Sequence, residues 1–481
     1  LKQGDKLFFI GIGGARLSAL AKIYKEKGYE IYGSDRFRTK NTANLEKMGI
    51  SITYGHDPLI IGSWIDQVIY TNAVGEDNPQ LIAAQAAGIP VMEGAELLGL
   101  LMREKEYGIA VAGTHGKTTT TAMISLLLIK AGKDPTVVIG GEMMELPGNH
   151  RSGLSPFMVV EACEFRRSFL QLSPQISVIT NVDWDHPDCF PTAGHVVQTF
   201  QEFIRLLPAD GRLVYWREDP HYSELYATSP APVISYGLTP EADWYVPEYA
   251  PSSRLGIEGE LFYRGAKQGQ LKLEVPGKHN LLNAVAAVVA AVEAGISVSQ
   301  ALSYIADFHG VKRRFQIKGG KHGVLVVDDY AHHPSAVQTT LETARTHFSG
   351  RIWCVFQPHL YSRTRHLMPD FAKAFGAADI VVLADIYAAR EQDPGDISSA
   401  ILSGEIAKNH QDVRYIGDMQ KIVEHLHSQT QPGDLVLTMG AGDIWKVGEE
   451  YLEGTTKHNQ SSNAECVQGS GSDREESLRI L

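Results

Sequence analysis

The chain has 481 residues, 43% of them hydrophobic, which is too long for one core and calls for two to four domains of ordinary size. A formal net charge of -12 excludes the global basic field that draws proteins to nucleic acid or anionic membranes, so neither is expected as a partner and an anionic substrate must be held by local devices. The four cysteines, Cys163, Cys189, Cys354 and Cys466, are scattered without a CxxC pair and suggest neither a disulfide framework nor a zinc site.

In chain order, Leu1 to Asp5 is short and polar, and no secretion signal is expected. Apolar runs such as Leu126 to Ile129 fall far short of the roughly 20 residues of a membrane span, so a cytoplasmic location is expected. Leu7 to Ile10 reads as a strand that turns at Gly11-Ile12-Gly13-Gly14 into a helix around Leu17 to Glu26. Asp35 follows about 20 residues later at the next strand end, the spacing of a diphosphate cradle. Strand-like Gln67 to Thr71 and Pro90-Val91 complete a first βαβ-type domain, residues 1–106, expected to be Rossmann-like.

Tyr107 to Ala112 opens a second domain, 107–310, expected as a parallel sheet of the P-loop ATPase kind, within which Pro208 to Leu273 reads as an irregular β-containing insertion. A third, 311–455, shows strands at Val324 to Asp328, Ile352 to Phe356, Ile380 to Ala384 and Leu435 to Met439 with a helix over Ser335 to Thr346, again Rossmann-like. The expected fold class is therefore α/β in three domains. The last residues, 456–481, turn to Asn, Gln, Ser, Gly and charge, a composition expected to stay disordered.

The segment Gly113-Thr114-His115-Gly116-Lys117-Thr118-Thr119 lies between an apolar strand and a helical run, which is the context a phosphate-binding loop needs. Its glycines let backbone N–H groups face phosphate oxygens, Lys117 can neutralise β/γ-phosphate charge and the Thr118 hydroxyl can ligate Mg2+. The loop is two residues shorter than GxxxxGK[ST]. ATP is the expected ligand. A metal would be held from neighbouring strand ends, where Glu161 with Glu164 and the Asp183-Trp184-Asp185-His186 run stand; Thr118, Glu161 and His186 are the expected ligands.

With Gly277-Lys278-His279-Asn280-Leu281-Leu282-Asn283, Arg313-Arg314-Phe315, Asp329-Tyr330-Ala331-His332-His333-Pro334 and Gln357-Pro358-His359 ahead of Ser362-Arg363-Thr364, these motifs resemble the Mur ligase family, in its alanine-adding branch. The resemblance spans nearly the whole chain up to the polar tail. It implies ATP- and Mg2+-dependent joining of L-alanine to UDP-N-acetylmuramate through an acyl phosphate, a step of peptidoglycan precursor synthesis, by a monomer or homodimer. It further implies that Asn280, Asn283, Arg314 and Asp329 meet the nucleotide, and that Tyr330, His332 and Arg363 surround the amino acid and the nascent amide. Lys117, Glu161, His186, His332 and Arg363 are then the catalytic candidates, and Gly11, Ile12, Gly13, Gly14, Asp35, His56 and Asn72 line the nucleotide sugar.

Two positions depart from the family's pattern. Arg16 replaces a small residue in the N-terminal glycine loop, and Leu360 stands where many relatives carry Arg after Gln357-Pro358-His359. Three rival readings remain in view: a recycling ligase that attaches a preformed peptide to the same nucleotide sugar, a non-catalytic UDP-sugar sensor, and a nicotinamide dehydrogenase, which leaves the phosphate loop unexplained.

Overall fold

The computed structural model describes residues 1–454 except 147, 188, 253 and 254, so the polar segment 456–481 lies outside the described residues. Three sheets organise the chain. The first is fully parallel and runs, edge to edge, Ser51–Tyr54, Glu30–Asp35, Lys6–Ile10, Gln67–Tyr70, Val91–Glu93. Strand order reverses beside Lys6–Ile10, and in open α/β sheets ligands settle in the crevice at that reversal. The glycine turn 11–14 leaves from this strand, so topology alone places it at a binding crevice.

The second sheet has eleven strands among the described residues, with Tyr107–Ala112 between Ile176–Ile179 and Phe157–Glu161. The stretch read from sequence as an irregular insertion is instead a continuation of this sheet. Arg212–Trp216 and Val233–Gly237 extend it in parallel, and Ile257–Tyr263 with Ala266–Leu273 finish it as an antiparallel hairpin. Its Pro, Tyr and Gly content marks turns between short strands rather than loss of the sheet. Two helices cover the core: Lys117–Lys130, buried from Thr118 to Leu128, and Lys278–Glu293, an alanine- and valine-rich helix whose residues Ala284 to Ala291 are wholly buried. Small side chains on nearly every face suit a helix enclosed on all sides.

The third sheet runs Gln316–Lys321, Val324–Asp329, Leu435–Met439, Ile352–Phe356, Ile380–Ala384, Val413–Gly417. All neighbours are parallel except the first pair, an antiparallel edge that sequence reading did not anticipate because its QIKGGK strand is polar and only half-buried. The three parts meet at Glu142, whose carboxylate takes Lys40 Nζ from the first at 3.1 Å and Lys312 Nζ from the start of the third at 2.5 Å.

Candidate active site

The phosphate loop is shaped by close approach. Gly116 has φ +81, and a Cβ there would lie 2.5 Å from Asn283 Oδ1 on the neighbouring helix, so both backbone and space demand glycine. Thr114 N–H donates to Asn181 O (3.0 Å) and His115 N–H to Asn181 Oδ1 (2.9 Å), which ties the loop to the end of the Ile176–Ile179 strand. The first N–H to bond back within the helix is that of Thr120, to Gly116 O at 2.9 Å. The N–H groups of Lys117, Thr118 and Thr119 therefore have no intrahelical acceptor and form an anion-binding end.

Lys117 Nζ lies 2.5 Å from Gly113 O and 2.9 Å from Glu164 Oε2. Burial works against its charge, but Glu164, Cys163 and Glu161 together outweigh it and the ammonium pKa is raised, so a fixed cation stands at the loop. Thr118 Oγ1 donates to Glu161 Oε1 at 2.9 Å, and Glu161 Oε2 accepts from Gly140 N–H at 2.7 Å. His186, held at φ +56, places Nε2 4.0 Å from Glu164 Oε1, while its buried Nδ1 has no hydrogen-bond partner among the described residues. A hydroxyl, two carboxylates and an under-bonded imidazole in one corner suit a hard divalent cation, and Thr118, Glu161, Glu164 and His186 could hold one.

These groups open into a cleft of about 800 Å³ between the second and third sheets, along which the loop from Thr114 to Thr119, Glu161 and His186 lie. Gly113 does not line it. Asn280 and Asn283 face the same cleft and brace each other, Nδ2 of Asn283 donating to Oδ1 of Asn280 at 3.3 Å. From the third sheet come Arg314, Asp329, Tyr330 and His332. Arg314 lies over the Tyr330 ring at 5.1 Å. Asp329 accepts from the N–H groups of Phe315 and Ala331, both at 2.7 Å; burial nevertheless raises its pKa. His332 Nδ1 is 2.8 Å from Tyr330 O, and burial, with Arg363 nearby, holds the imidazole well below its ordinary pKa and hence neutral.

Arg363 lies away from the cleft wall, paired with Asp185. It does not line the cleft; its Nε and Nη2 take Asp185 Oδ1 at 3.0 and 2.9 Å, a buried pair that joins the third part to the second. The fork suited to a substrate carboxylate is engaged by a protein one in this structure. Leu360 is buried at φ +71 and caps the short helix Tyr361–His366. Sequence reading passed over His279, whose partly buried ring also faces the cleft and whose pKa burial lowers to about 4; the signal was its place between Lys278 and Asn280.

The N-terminal loop behaves differently from its sequence reading. Gly11 and Ile12 N–H both donate to Ser34 O (2.8 and 3.0 Å), Gly13 N–H to Asp35 Oδ2 (2.7 Å) and Gly14 N–H to Gly11 O (3.1 Å). The glycine amides thus hold the turn together, with Asp35 as their clasp. His56 reaches Gln80 Oε1 at 3.3 Å, and neither His56 nor Asp35 lines the cleft or the smaller cavity beside the first helix. A second cavity, of about 220 Å³, begins one step further on, at Ala15, Arg16 and Leu17, the first turn of helix Ala15–Glu26. Asn72 lines it and donates to Ser168 Oγ at 2.8 Å. Glu161 and Cys163 lie on the walls of both cavities.

Family models described as "Mur ligase family, catalytic domain", "Mur ligase middle domain" and "Mur ligase, glutamate ligase domain" match residues 6–106, 111–291 and 313–442. The UDP-N-acetylmuramate--L-alanine ligase of Caldanaerobacter subterraneus subsp. tengcongensis is 44% identical over 95% of this chain and 99% of its own length. That of Acetivibrio thermocellus is 42% identical over 92% and 95%. The crystal structure of the UDP-N-acetylmuramate-alanine ligase of Thermotoga maritima superposes with a TM-score of 0.80 at 30% identity, covering 93% of this chain and 98% of that one. Three successive domain matches, together with a phosphate loop and two cavities that share Glu161, place this chain in the Mur ligase family.

Proposed function

We propose that this chain uses ATP to join L-alanine to the carboxylate of UDP-N-acetylmuramate, a step in building peptidoglycan precursors. The observation that carries the reading is the junction of the two cavities at Glu161 and Cys163. One cavity begins at a helix N-terminus suited to a diphosphate, and the other holds a phosphate loop. A carboxylate extending from the first would therefore meet a triphosphate in the second beside Thr118 and Glu161. Residues 1–106 would hold the nucleotide sugar and 107–310 the ATP, with 311–455 closing over both.

Bringing two anions together is the electrostatic problem of the reaction, and the site's residue types answer it. Lys117 is a permanent cation at the phosphate loop, and the N–H groups at the start of its helix add positive potential. Mg2+, held by Thr118 and Glu161 with Glu164 and His186 at hand, would offset triphosphate charge and orient it for attack. The substrate carboxylate oxygen attacks the γ-phosphorus, the bond to the β-phosphate oxygen breaks, and ADP leaves an acyl phosphate. The alanine amine then adds to the acyl carbon, loses a proton, and phosphate departs to leave the amide. Neutral His332 and Tyr330 stand on the cleft wall contributed by the third domain, where we place the incoming amine. Burial pushes the Cys163 thiol up, so the junction is walled by a neutral group rather than a competing thiolate nucleophile.

No helix among the described residues is long and apolar enough to cross a membrane, and Cys163 and Cys354 are free thiols. We place the protein in the cytoplasm, where ATP and nucleotide sugars are made, as a monomer or homodimer. Phosphate release with ATP, Mg2+ and UDP-N-acetylmuramate, supplied in parallel with L-alanine, glycine, L-serine or a tripeptide, tests the reading. Release that needs both UDP-N-acetylmuramate and L-alanine, with a product of the corresponding mass, is expected. Release with the tripeptide alone would overturn the assignment in favour of a recycling ligase, and no release with any acceptor would favour a sensor.

A further inference from the structure

Where the phosphate loop meets the third domain, on the wall of the same cleft, three groups capable of binding a metal converge that the Mg2+ position at Thr118 and Glu161 does not use. They are His115 of the loop, Asp183 beyond the Ile176–Ile179 strand, and His333 at the start of helix Pro334–His347. His115 Nε2 and His333 Nδ1 lie 3.6 and 4.0 Å from the same oxygen, Asp183 Oδ2, and the three donor atoms fall within 4.8 Å of one another. A fourth donor, Ser335 Oγ, stands 2.8 Å from His333 Nδ1, 3.0 Å from His115 Nε2 and 3.3 Å from Asp183 Oδ2. Four-coordinate zinc has bonds of about 2.1 Å, which sets donor separations near 3.4 Å, and these separations scatter around that value.

The hydrogen-bond count points the same way. Trp184 O lies 3.3 Å from His333 Nε2 and can only accept, so a neutral His333 carries its proton on Nε2 and turns a lone pair at Nδ1 toward the cluster. Ser335 has one hydroxyl proton but faces two acceptors, that lone pair and the Asp183 carboxylate. A cation would satisfy both. Trp184 O then also serves as the outer partner that orients a ligating histidine. Two imidazoles, one carboxylate and a hydroxyl match the zinc class of metals, whereas Mg2+ prefers six oxygens. The cysteine pattern could not reveal such a site, because it uses none.

We propose that His115, Asp183, His333 and Ser335 form a zinc-class metal site, distinct from the Mg2+ position at Thr118 and Glu161, that staples the third domain onto the phosphate loop. Two of the donors belong to the central domain and two to the third, so a bound ion holds the cleft in its closed arrangement. This inference does not depend on which amino acid is ligated.

The test is titration of the full-length protein with Co2+ under excess Mg2+ and without nucleotide. The expected result is one equivalent showing the intense visible bands of tetrahedral cobalt, without a thiolate charge-transfer band, and bleached by one equivalent of Zn2+. Asp183→Asn and His333→Gln should each weaken cobalt binding at least tenfold, the scale for losing one ligand, while Glu161→Gln retains it. The Asp183 side chain is 46% exposed, so Asp183→Asn is the variant expected to fold unchanged, and its thermal melt confirms that. No tetrahedral band, a thiolate band, or a band that survives Asp183→Asn in the folded protein would each overturn the proposal.

Discussion

Two turns in this molecule share one sequence plan, a strand followed by glycines and a helix, yet differ in the side chains they present to their cavities. At residues 11–14 every N–H bonds to Ser34, Asp35 or Gly11 within the turn, and the ligand-facing donors begin only at Ala15. At residues 113–119 the early N–H groups are tied to Asn181, and the loop itself runs along the cleft with Lys117 and Thr118. Glycine content alone therefore does not say whether a loop cradles phosphate or braces itself. In both turns the free amides begin at the helix start, and what separates them is that Lys117 and Thr118 there bring a cation and a hydroxyl to the cleft.

The largest expected effect lies where the phosphate-loop cleft is closed by the third domain, a support the N-terminal loop lacks. Asp185→Asn leaves the buried Arg363 charge without its partner and should cost roughly 3 to 5 kcal/mol, read as a lowered Tm. Burial opposes ionisation of Asp185, but Arg363 and three histidines hold its carboxyl well below the ordinary range. Its contribution is complete above about pH 4, where the unfolded carboxyl is also ionised, and is lost as pH falls through the folded value. The parent protein should therefore lose Tm on acidification, and the variant should lose less.

Next in size, Lys117→Ala should slow turnover by about a hundredfold or more, the scale for removing a charge-stabilising group, with the KM for UDP-N-acetylmuramate little changed. Activity within about tenfold of the parent would remove Lys117 from its role. Gly116→Ala forces a side chain into a left-handed backbone and against Asn283, and should cost at least about 1 kcal/mol of stability while raising the KM for ATP. The smallest effect sharpens the comparison from the other side. Arg16 reaches the 220 Å³ cavity with no hydrogen bond or ion pair among the described residues, so Arg16→Ala should raise the KM for the nucleotide sugar about tenfold, the loss of one charge-assisted hydrogen bond. An unchanged KM would show that the helix amides alone hold the diphosphate.

Much of the fold could be read from apolar runs bounded by glycine. Tyr107–Ala112, Ile352–Phe356, Ile380–Ala384 and Leu435–Met439 have the bounds their hydrophobicity suggests, because a strand buried on both faces is apolar throughout. Gln316–Lys321 and the hairpin from Ile257 to Leu273 escaped because half-exposed strands alternate with lysine, glutamine and glycine. In the site, local motifs pointed to Lys117, Thr118 and Glu161, whose partners are fixed by one strand end and one loop. The pairing of Arg363 with Asp185 and the meeting of His115, Asp183 and His333 were not legible, since they depend on how one domain closes over another. Asp35 marks a limit of spacing: a carboxylate at that distance serves a ribose or a glycine amide equally well by sequence.

The central claim is that a carboxylate from the first cavity meets ATP in the second. The most direct measurement uses UDP-N-acetylmuramate labelled with 18O in its carboxylate, turned over with ATP, Mg2+ and L-alanine, followed by mass analysis of the released phosphate. Attack of that carboxylate on phosphorus predicts one 18O in each phosphate formed from fully labelled substrate. Amide product accompanied by unlabelled phosphate would contradict the account.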